Sequence, residues 1–165
     1  MVEEPINYRN ANANDRERIL QITEEVFGPS TFERNIEERF GLIDGRDWRW
    51  RKRRHVEADL DNSDSGCIVA EHQGRVIGYV TISYDREAKI GSIPNLAVDS
   101  KHKSRGLGRH LIQEALREMA AVGMHIGRIE TLQQNDVGQY HYPDVGFEEI
   151  ARQVYFAMDL RSCDD

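Results

Sequence analysis

The residues best placed to do chemistry lie in Asn95-Leu96-Ala97-Val98-Asp99-Ser100-Lys101-His102-Lys103-Ser104-Arg105-Gly106-Leu107-Gly108. An apolar strand pattern ends at Val98, a basic polar loop follows, and a glycine-marked helix begins. The first amides of a helix lack partners within it, and the positive end of its dipole faces the same way, so such a start holds anions. Gly106 and Gly108 leave no Cβ between a phosphate and the backbone. Lys101, Lys103, Arg105 and Arg109 gather positive charge in a chain whose formal net charge is −7. The expected chemistry is the binding of a phosphate or diphosphate; the bland alternative is a glycine turn that serves only close packing. A P-loop is excluded because no Gly-Lys-Ser/Thr follows, and a dinucleotide fingerprint needs a third glycine where His110 or Leu111 stands.

A second constellation follows at Asn135-Asp136-Val137-Gly138-Gln139-Tyr140-His141-Tyr142-Pro143-Asp144-Val145-Gly146-Phe147. Here the chain resembles the GNAT superfamily of acetyl-coenzyme A-dependent N-acetyltransferases. That family's first signature, Gln/Arg-x-x-Gly-x-Gly/Ala, aligns with Lys103-Ser104-Arg105-Gly106-Leu107-Gly108. Its second, Asn-x-x-(small)-x-x-x-Tyr-x-x-x-Gly-Phe, aligns with Asn135, Gly138, Tyr142, Gly146 and Phe147. The resemblance is specific from Cys67 to Leu160 and weaker before that. Three departures stand out. Lys103 keeps a cation but loses a fork of donors. Gly138 replaces the usual Ala, at a cost of up to ~1 kcal/mol to a helix. Pro143, directly after Tyr142, is expected to end that helix early.

The resemblance implies an α/β fold: a mixed, largely antiparallel sheet of six or seven strands, splayed between the fourth and fifth and flanked by about four helices. It implies acetyl-CoA as co-substrate and no metal. A bulge near Asn95-Leu96 would splay a pair of parallel strands, so that Leu96, Ala97 and Val98 bind the pantetheine arm through backbone groups. The pyrophosphate would sit on the amides of Lys103, Ser104, Arg105, Gly106, Leu107, Gly108 and Arg109, with Asn135 completing the cofactor site. Pro94 fits a strand whose ladder is broken there; the plain alternative is an edge residue.

Transfer of an acetyl group to an amine needs a base for the ammonium proton, a donor for the oxyanion and a proton or hydrogen bond for the leaving thiolate. The family's candidate for the last role is Tyr142. A phenol near 10 protonating a thiolate near 8.5 is uphill by about 2 kcal/mol in water, so Tyr142 is an acid only in a dry site. Otherwise it donates a hydrogen bond, or merely packs beside the cofactor. The Val98 amide is the candidate oxyanion donor. For the base, Glu130 lies five residues before Asn135, an offset shared with ribosomal-protein N-terminal acetyltransferases of the superfamily, where it acts through water. On an interior strand its carboxylate would be costly to bury without a task or a partner, and the plain alternative is a pair with a nearby arginine. Ser92, at the position used by histone-type relatives, cannot act as a base. His72, His141 and Tyr140 are weaker candidates.

The elements that must position these residues are legible in the spacing. Ile6 to Arg9 reads as a strand. A helix capped by Asn14 or Asp15 carries Ile19, Ile22, Val26 and Phe27 to Gly28-Pro29, and a second from Ser30 or Thr31 puts Phe32, Ile36 and Phe40 on one stripe. A third, from about Asp47 to Leu60, carries Trp48, Trp50 and the cations Arg49, Arg51, Lys52, Arg53 and Arg54. Those cations could recognise an acidic acceptor or RNA, or simply offset Glu37, Glu38, Asp59 and Asp61 with the tryptophans packed inward. Strands from Cys67 to His72 and Arg75 to Ser83 flank the turn Gln73-Gly74. Another runs from Ala88 to Val98, then a helix from Arg105 to about Val122, a strand from Gly127 to Leu132, and a short helix from Asp136 to about Tyr142. Two last strands are expected over Phe147 to Ile150 and Gln153 to Leu160.

The chain reads as one domain, 1-165, with acceptor-side elements over 1-66, the acetyl-CoA-binding core over 67-160 and a tail over 161-165. Hydrophobic residues at 39% and charged residues at 31% are ordinary for a globular protein. The acidic balance disfavours nucleic acid and anionic membrane as partners. Cys67 reads as a buried thiol and Cys163 as a tail residue, a usage that suits a reducing compartment. No basic-then-apolar leader and no ~20-residue apolar span occurs, so the protein is expected in the cytoplasm. A calcium loop at Asp59 to Ala70 fails because its glycine position holds Asp64 and its closing glutamate position Ala70. The function expected is acetyl transfer from acetyl-CoA to a primary amine of a small molecule or protein, with a homodimer as one option. The alternative is a catalytically idle acyl-CoA sensor.

Overall fold

A computed structural model describes residues 5–162. Its elements run β1 (Asn7–Asn10), α1 (Arg16–Val26), α2 (Phe32–Phe40), α3 (Trp48–Asp61), β2 (Ser65–His72), β3 (Arg75–Asp85), β4 (Ile90–Ile93), β5 (Leu96–Val98), α4 (Leu107–Ala121), β6 (Ile126–Ile129) and α5 (Asp136–Val145). Met1 to Glu4 and Cys163 lie outside the described residues. The sheet runs β1-β2-β3-β4-β6, with β5 pairing on β3; every pairing is antiparallel except β4 with β6. The β2–β3 turn uses Gln73 and Gly74 with φ of 50° and 72°, the left-handed pair that a two-residue hairpin requires.

Two apolar layers cover the sheet. On one side α4 buries Leu107, Leu111, Ile112, Ala115 and Met119 against Ile68, Val80, Ile82 and Ile93. On the other, α1 and α3 supply Ile19, Leu20, Ile22 and Val56 against Val69, Tyr79 and Ala97. No described helix is long and apolar enough to cross a membrane.

The structure departs from the sequence pattern in five places. Asp15 stands at the N-cap of α1 as the pattern offers, but its side chain makes no cap bond there. It accepts instead from the Asn12 amide, and Asn12, whose side chain accepts from the Asn14 amide, caps the short turn Ala13–Asp15 that leads into the helix. Helix α2 does not bury its phenylalanine stripe: Phe32 is exposed and Glu33 is buried. Pro143 does not end α5, which runs on to Val145 and closes at Gly146 with φ 117°. Near a helix end the missing proline amide costs one bond, and the Tyr142 carbonyl still receives the amides of Gly146 and Phe147. Strand β6 stops at Ile129, short of Leu132. The two last strands are not formed: residues 147–159 carry no strand and pair with nothing in the sheet. Alternation alone does not make a strand, which also needs a neighbour for its amides.

Candidate active site

The long strand expected over Ala88 to Val98 is broken at the predicted place. Ser92 pairs with Ser83 and Leu96 with Val80, so four steps along one strand face three on the other. The extra residue is a bulge at Pro94-Asn95. Beyond it β5 stays on β3 and gains no described partner on its other side, whereas β4 stays paired to β6. This is the splay.

The hydrogen bonds on either side of β5 fix which way its backbone faces. Thr81 N donates to Asn95 O at 2.9 Å, and Asp99 N donates to Ile77 O at 2.8 Å. Residues 95, 97 and 99 therefore turn their polar groups to β3. By the alternation of an antiparallel ladder, Leu96 and Val98 turn theirs to the open edge. Ala97 is buried and ladder-bonded, so of the three expected contacts it contributes position rather than a free amide.

Past Val98, Asp99 caps the turn Ser100–His102 by accepting from the Lys101 amide at 2.9 Å. Ser104 and Gly106 are both left-handed, with φ of 68° and 73°. Gly106 stands at the start of α4 without a side chain to cap it, and the first bond back to it comes from His110 N at 3.1 Å. The amides of Leu107, Gly108 and Arg109 thus have no partner within the helix. Lys103 and Arg105 are exposed on the loop. Arg109 is half-exposed and its side chain is committed elsewhere: Nη1 donates to Asp144 Oδ2 at 2.5 Å, tying α4 to α5. A Cβ on Gly108 would point between His141 Nε2 and Leu96 Cδ2, at 3.9 and 4.0 Å. The missing side chain leaves room on the line from the helix start to β5.

Helix α5 brings Tyr142 to the same cluster. Tyr142, like Leu96, Val98, Val145 and Phe147, is partly buried against the core cluster to which α4 contributes Leu107, Leu111 and Ile112, and its ring lies 6.2 Å from the Phe147 ring, edge-on. Burial pushes its phenol above the usual value. Asn135 caps α5, its Oδ1 accepting from Gly138 N at 3.3 Å and its Nδ2 donating to Thr131 Oγ1 at 2.9 Å. That bond explains Gly138: an alanine Cβ there would come within 2.6 Å of Thr131 Oγ1 and 2.8 Å of Asn135 Nδ2. Thr131 and Asp144, unremarked in the sequence, position Asn135 and Arg109; no motif marked them.

Glu130 is not brought into this cluster. It lies just past the end of β6, is 63% exposed, and pairs with Arg128 at 2.9 Å. The interior position expected for it is corrected, because the strand ends one residue earlier. Tyr140 is exposed, His72 stacks edge-on against His102 of the loop, and Ser92 faces Ser83 and Arg128 in the sheet. In α3, Arg49 pairs with Asp47, Arg51 with Glu37, and Arg53 with Glu17, Glu24 and Glu57, so these cations are offset by carboxylates. Trp48 packs inward, whereas Trp50 is 37% exposed between the guanidinium groups of Arg46 and Arg54. A cavity of about 520 Å³ lined by Asn10, Arg16, Leu60, Cys67 and Glu118 contains none of the predicted site residues.

With this geometry in hand, comparison with known proteins is decisive on family. Residues 25–147 match the model of the acetyltransferase (GNAT) family. The chain belongs to the GNAT family. Acetyl-CoA is that family's acetyl donor. Among solved structures, the chain is similar to AAC(6')-Iy in complex with a bisubstrate analogue, with 17% identity and a TM-score of 0.68 over 94% of this chain and 99% of that one. It is also similar to the aminoglycoside 6'-N-acetyltransferase AAC(6')-IG of Acinetobacter haemolyticus (14%, 0.66, 93% and 99%). A third is glucosamine-6-phosphate N-acetyltransferase of Arabidopsis thaliana (15%, 0.60, 94% and 100%). At such identities the likeness is one of fold. No curated protein sequence matches the chain.

Proposed function

We propose that this GNAT protein moves the acetyl group of acetyl-CoA to a primary amine, of a small molecule or a protein, by direct attack in a ternary complex. The observation that carries the reading is the pairing of two features: an open strand edge at Leu96 and Val98, and an uncapped helix start at Gly106. The first offers alternate backbone donors and acceptors to an extended pantetheine amide chain. The second offers unpaired amides, with Lys103 and Arg105 beside them, to a diphosphate. Ser104, Leu107, Gly108 and Arg109 contribute through backbone, and Asn135 holds α5 against this wall.

In the reaction the acceptor nitrogen, once deprotonated, attacks the thioester carbon. The carbonyl electron pair moves to oxygen, and the Val98 amide donates a hydrogen bond to the oxyanion so formed. The C–N bond forms and the C–S bond breaks as the carbonyl returns, and the sulfur leaves as thiolate. Tyr142 faces that sulfur in the proposal. Burial raises its pKa, which widens the uphill step to a thiolate, so it acts as a hydrogen-bond donor that stays protonated. The amine proton leaves through water to Glu130, whose exposed carboxylate suits a water-mediated role rather than direct contact.

A homodimer and a cytoplasmic, reducing location belong to the same proposal. Val154, Phe156, Met158 and Leu160 alternate along the unpaired C-terminal segment and are all 72% exposed or more, the apolar row a second copy would cover. The test of function is thiol release from acetyl-CoA with a panel of amines. Transfer that falls in Tyr142→Phe and Glu130→Gln while coenzyme A still binds supports catalysis. A wild-type protein that binds coenzyme A and acetylates nothing would be the idle sensor instead.

A further inference from the structure

Helix α2 buries a charge where its sequence pattern puts a phenylalanine. Glu33 is 2% exposed while Phe32 beside it is 36% exposed. Neither oxygen of the Glu33 carboxylate receives a hydrogen bond among the described residues. Nδ1 of His55, on α3, rests against Oε1, and that imidazole is itself half-exposed. Lys52 and Asp59 flank His55 along α3. Lys52 Nζ donates to Asn95 Oδ1 at 2.7 Å and lies 4.4 Å from the Phe27 ring centre. Asp59 Oδ2 accepts from Asn95 Nδ2 at 2.5 Å. Glu33 and Asp59 thus place two carboxylates around one ammonium, behind the bulge that opens the proposed acetyl site.

Aromatic rings stand beside the His55 imidazole that rests on this carboxylate. Phe32 stacks on Tyr155 at 5.6 Å with an interplanar angle of 9°, and its ring lies 6.1 Å from that of His55. Ring faces beside a buried carboxylate attract an ammonium group by charge and by quadrupole together. A carboxylate held in the interior without a hydrogen bond is costly, and a cationic ligand removes the cost on binding.

We propose that Glu33 is the seat of an ammonium group of the acceptor, reached by displacing the His55 imidazole, with Phe32 and Tyr155 as its aromatic wall. The ligand class is an alkylamine with a second positive charge besides the nitrogen that is acetylated. The inference rests on the acetyl-transfer reading, because Lys52 ties this seat to Asn95, the residue before Leu96. A diamine can then place one nitrogen at Glu33 and the other at the thioester.

The experiment compares n-butylamine with α,ω-diaminoalkanes of three to six carbons in the thiol-release assay, and titrates 1,4-diaminobutane into the free protein by calorimetry. In the wild type the best diamine has a KM lower than butylamine by about tenfold or more, the effect of one charge-assisted contact. Glu33→Gln removes that advantage and the calorimetric signal, leaves kcat with butylamine within about twofold, and leaves coenzyme A affinity unchanged. His55→Ala, which keeps Glu33, tightens diamine binding by removing the resident partner. Diamine binding that is absent in the wild type, or a diamine-to-butylamine ratio untouched by Glu33→Gln with coenzyme A still bound, overturns the proposal. Failure of coenzyme A itself to bind counts against the acetyl-transfer reading, while the diamine titration still decides the seat.

Discussion

A Cβ on Gly108 meets only His141 Nε2 and Leu96 Cδ2 at ordinary contact distances, so the protein itself has room for a larger residue there. The proposed diphosphate does not. Gly108→Val is therefore expected to weaken coenzyme A binding by at least about tenfold while the urea midpoint moves little, since the position is in the first helical turn. At Tyr142 the expectation concerns pH as well as rate. Its phenol is raised above 10 by burial, so it stays protonated through neutral and mildly alkaline pH. Turnover should rise with pH as the acceptor ammonium deprotonates, with no falling limb below about pH 10. Tyr142→Phe should lower kcat by roughly 10- to 100-fold and keep the shape of that profile. The glycines and Tyr142 were legible because backbone approach and a fixed offset constrain residue type directly. The setting of Glu130 was not, since one residue of strand length decides whether its carboxylate is inside the sheet or past its end.

The elements themselves were legible wherever a period was backed by a face to bury. Helices α1, α3 and α4, the β2–β3 hairpin and the break at Pro94-Asn95 all follow the sequence pattern. Helix α2 does not, because Glu33 and Phe32 are neighbours and only tertiary packing chooses between them. Close packing between elements yields a prediction of its own. A Cβ on Gly91 of β4 would fall 2.6 Å from Met119 Sδ on α4, where sheet and helix touch closely. Gly91→Ala is expected to destabilise the fold by about 1–3 kcal/mol in urea unfolding, the usual cost of overpacking, with Met119→Ala recovering some of it. Gly138→Ala sets helix propensity against contact with Thr131 and Asn135 in the same way, and Thr131→Ala should make it tolerable.

At the scale of the whole molecule, the alternating run from Val154 to Leu160 reads as a strand, and the structure leaves it exposed and unpaired. The segment is held at α2 by the Tyr155–Phe32 stack and by Arg161, whose guanidinium donates to the carbonyls of Phe40 and Leu42 at 2.8 and 3.1 Å. A strand's partner is a non-local property that residue spacing does not encode. If a second copy covers this row, light scattering gives twice the chain mass, and Phe156→Asp returns the protein to a monomer; a wild-type monomer at high concentration removes the dimer from the account. The net charge of −7 makes the basic loop at Lys103 and Arg105 a local exception, so the ligand it attracts should bind with marked salt dependence.

Calorimetric titration of coenzyme A into the wild type and into the Lys103→Glu/Arg105→Glu variant tests the central claim most directly. The account predicts micromolar binding by the wild type that weakens as salt is raised, and an affinity at least about tenfold lower in the variant. No heat at millimolar coenzyme A, or equal affinity in the two proteins, would contradict it.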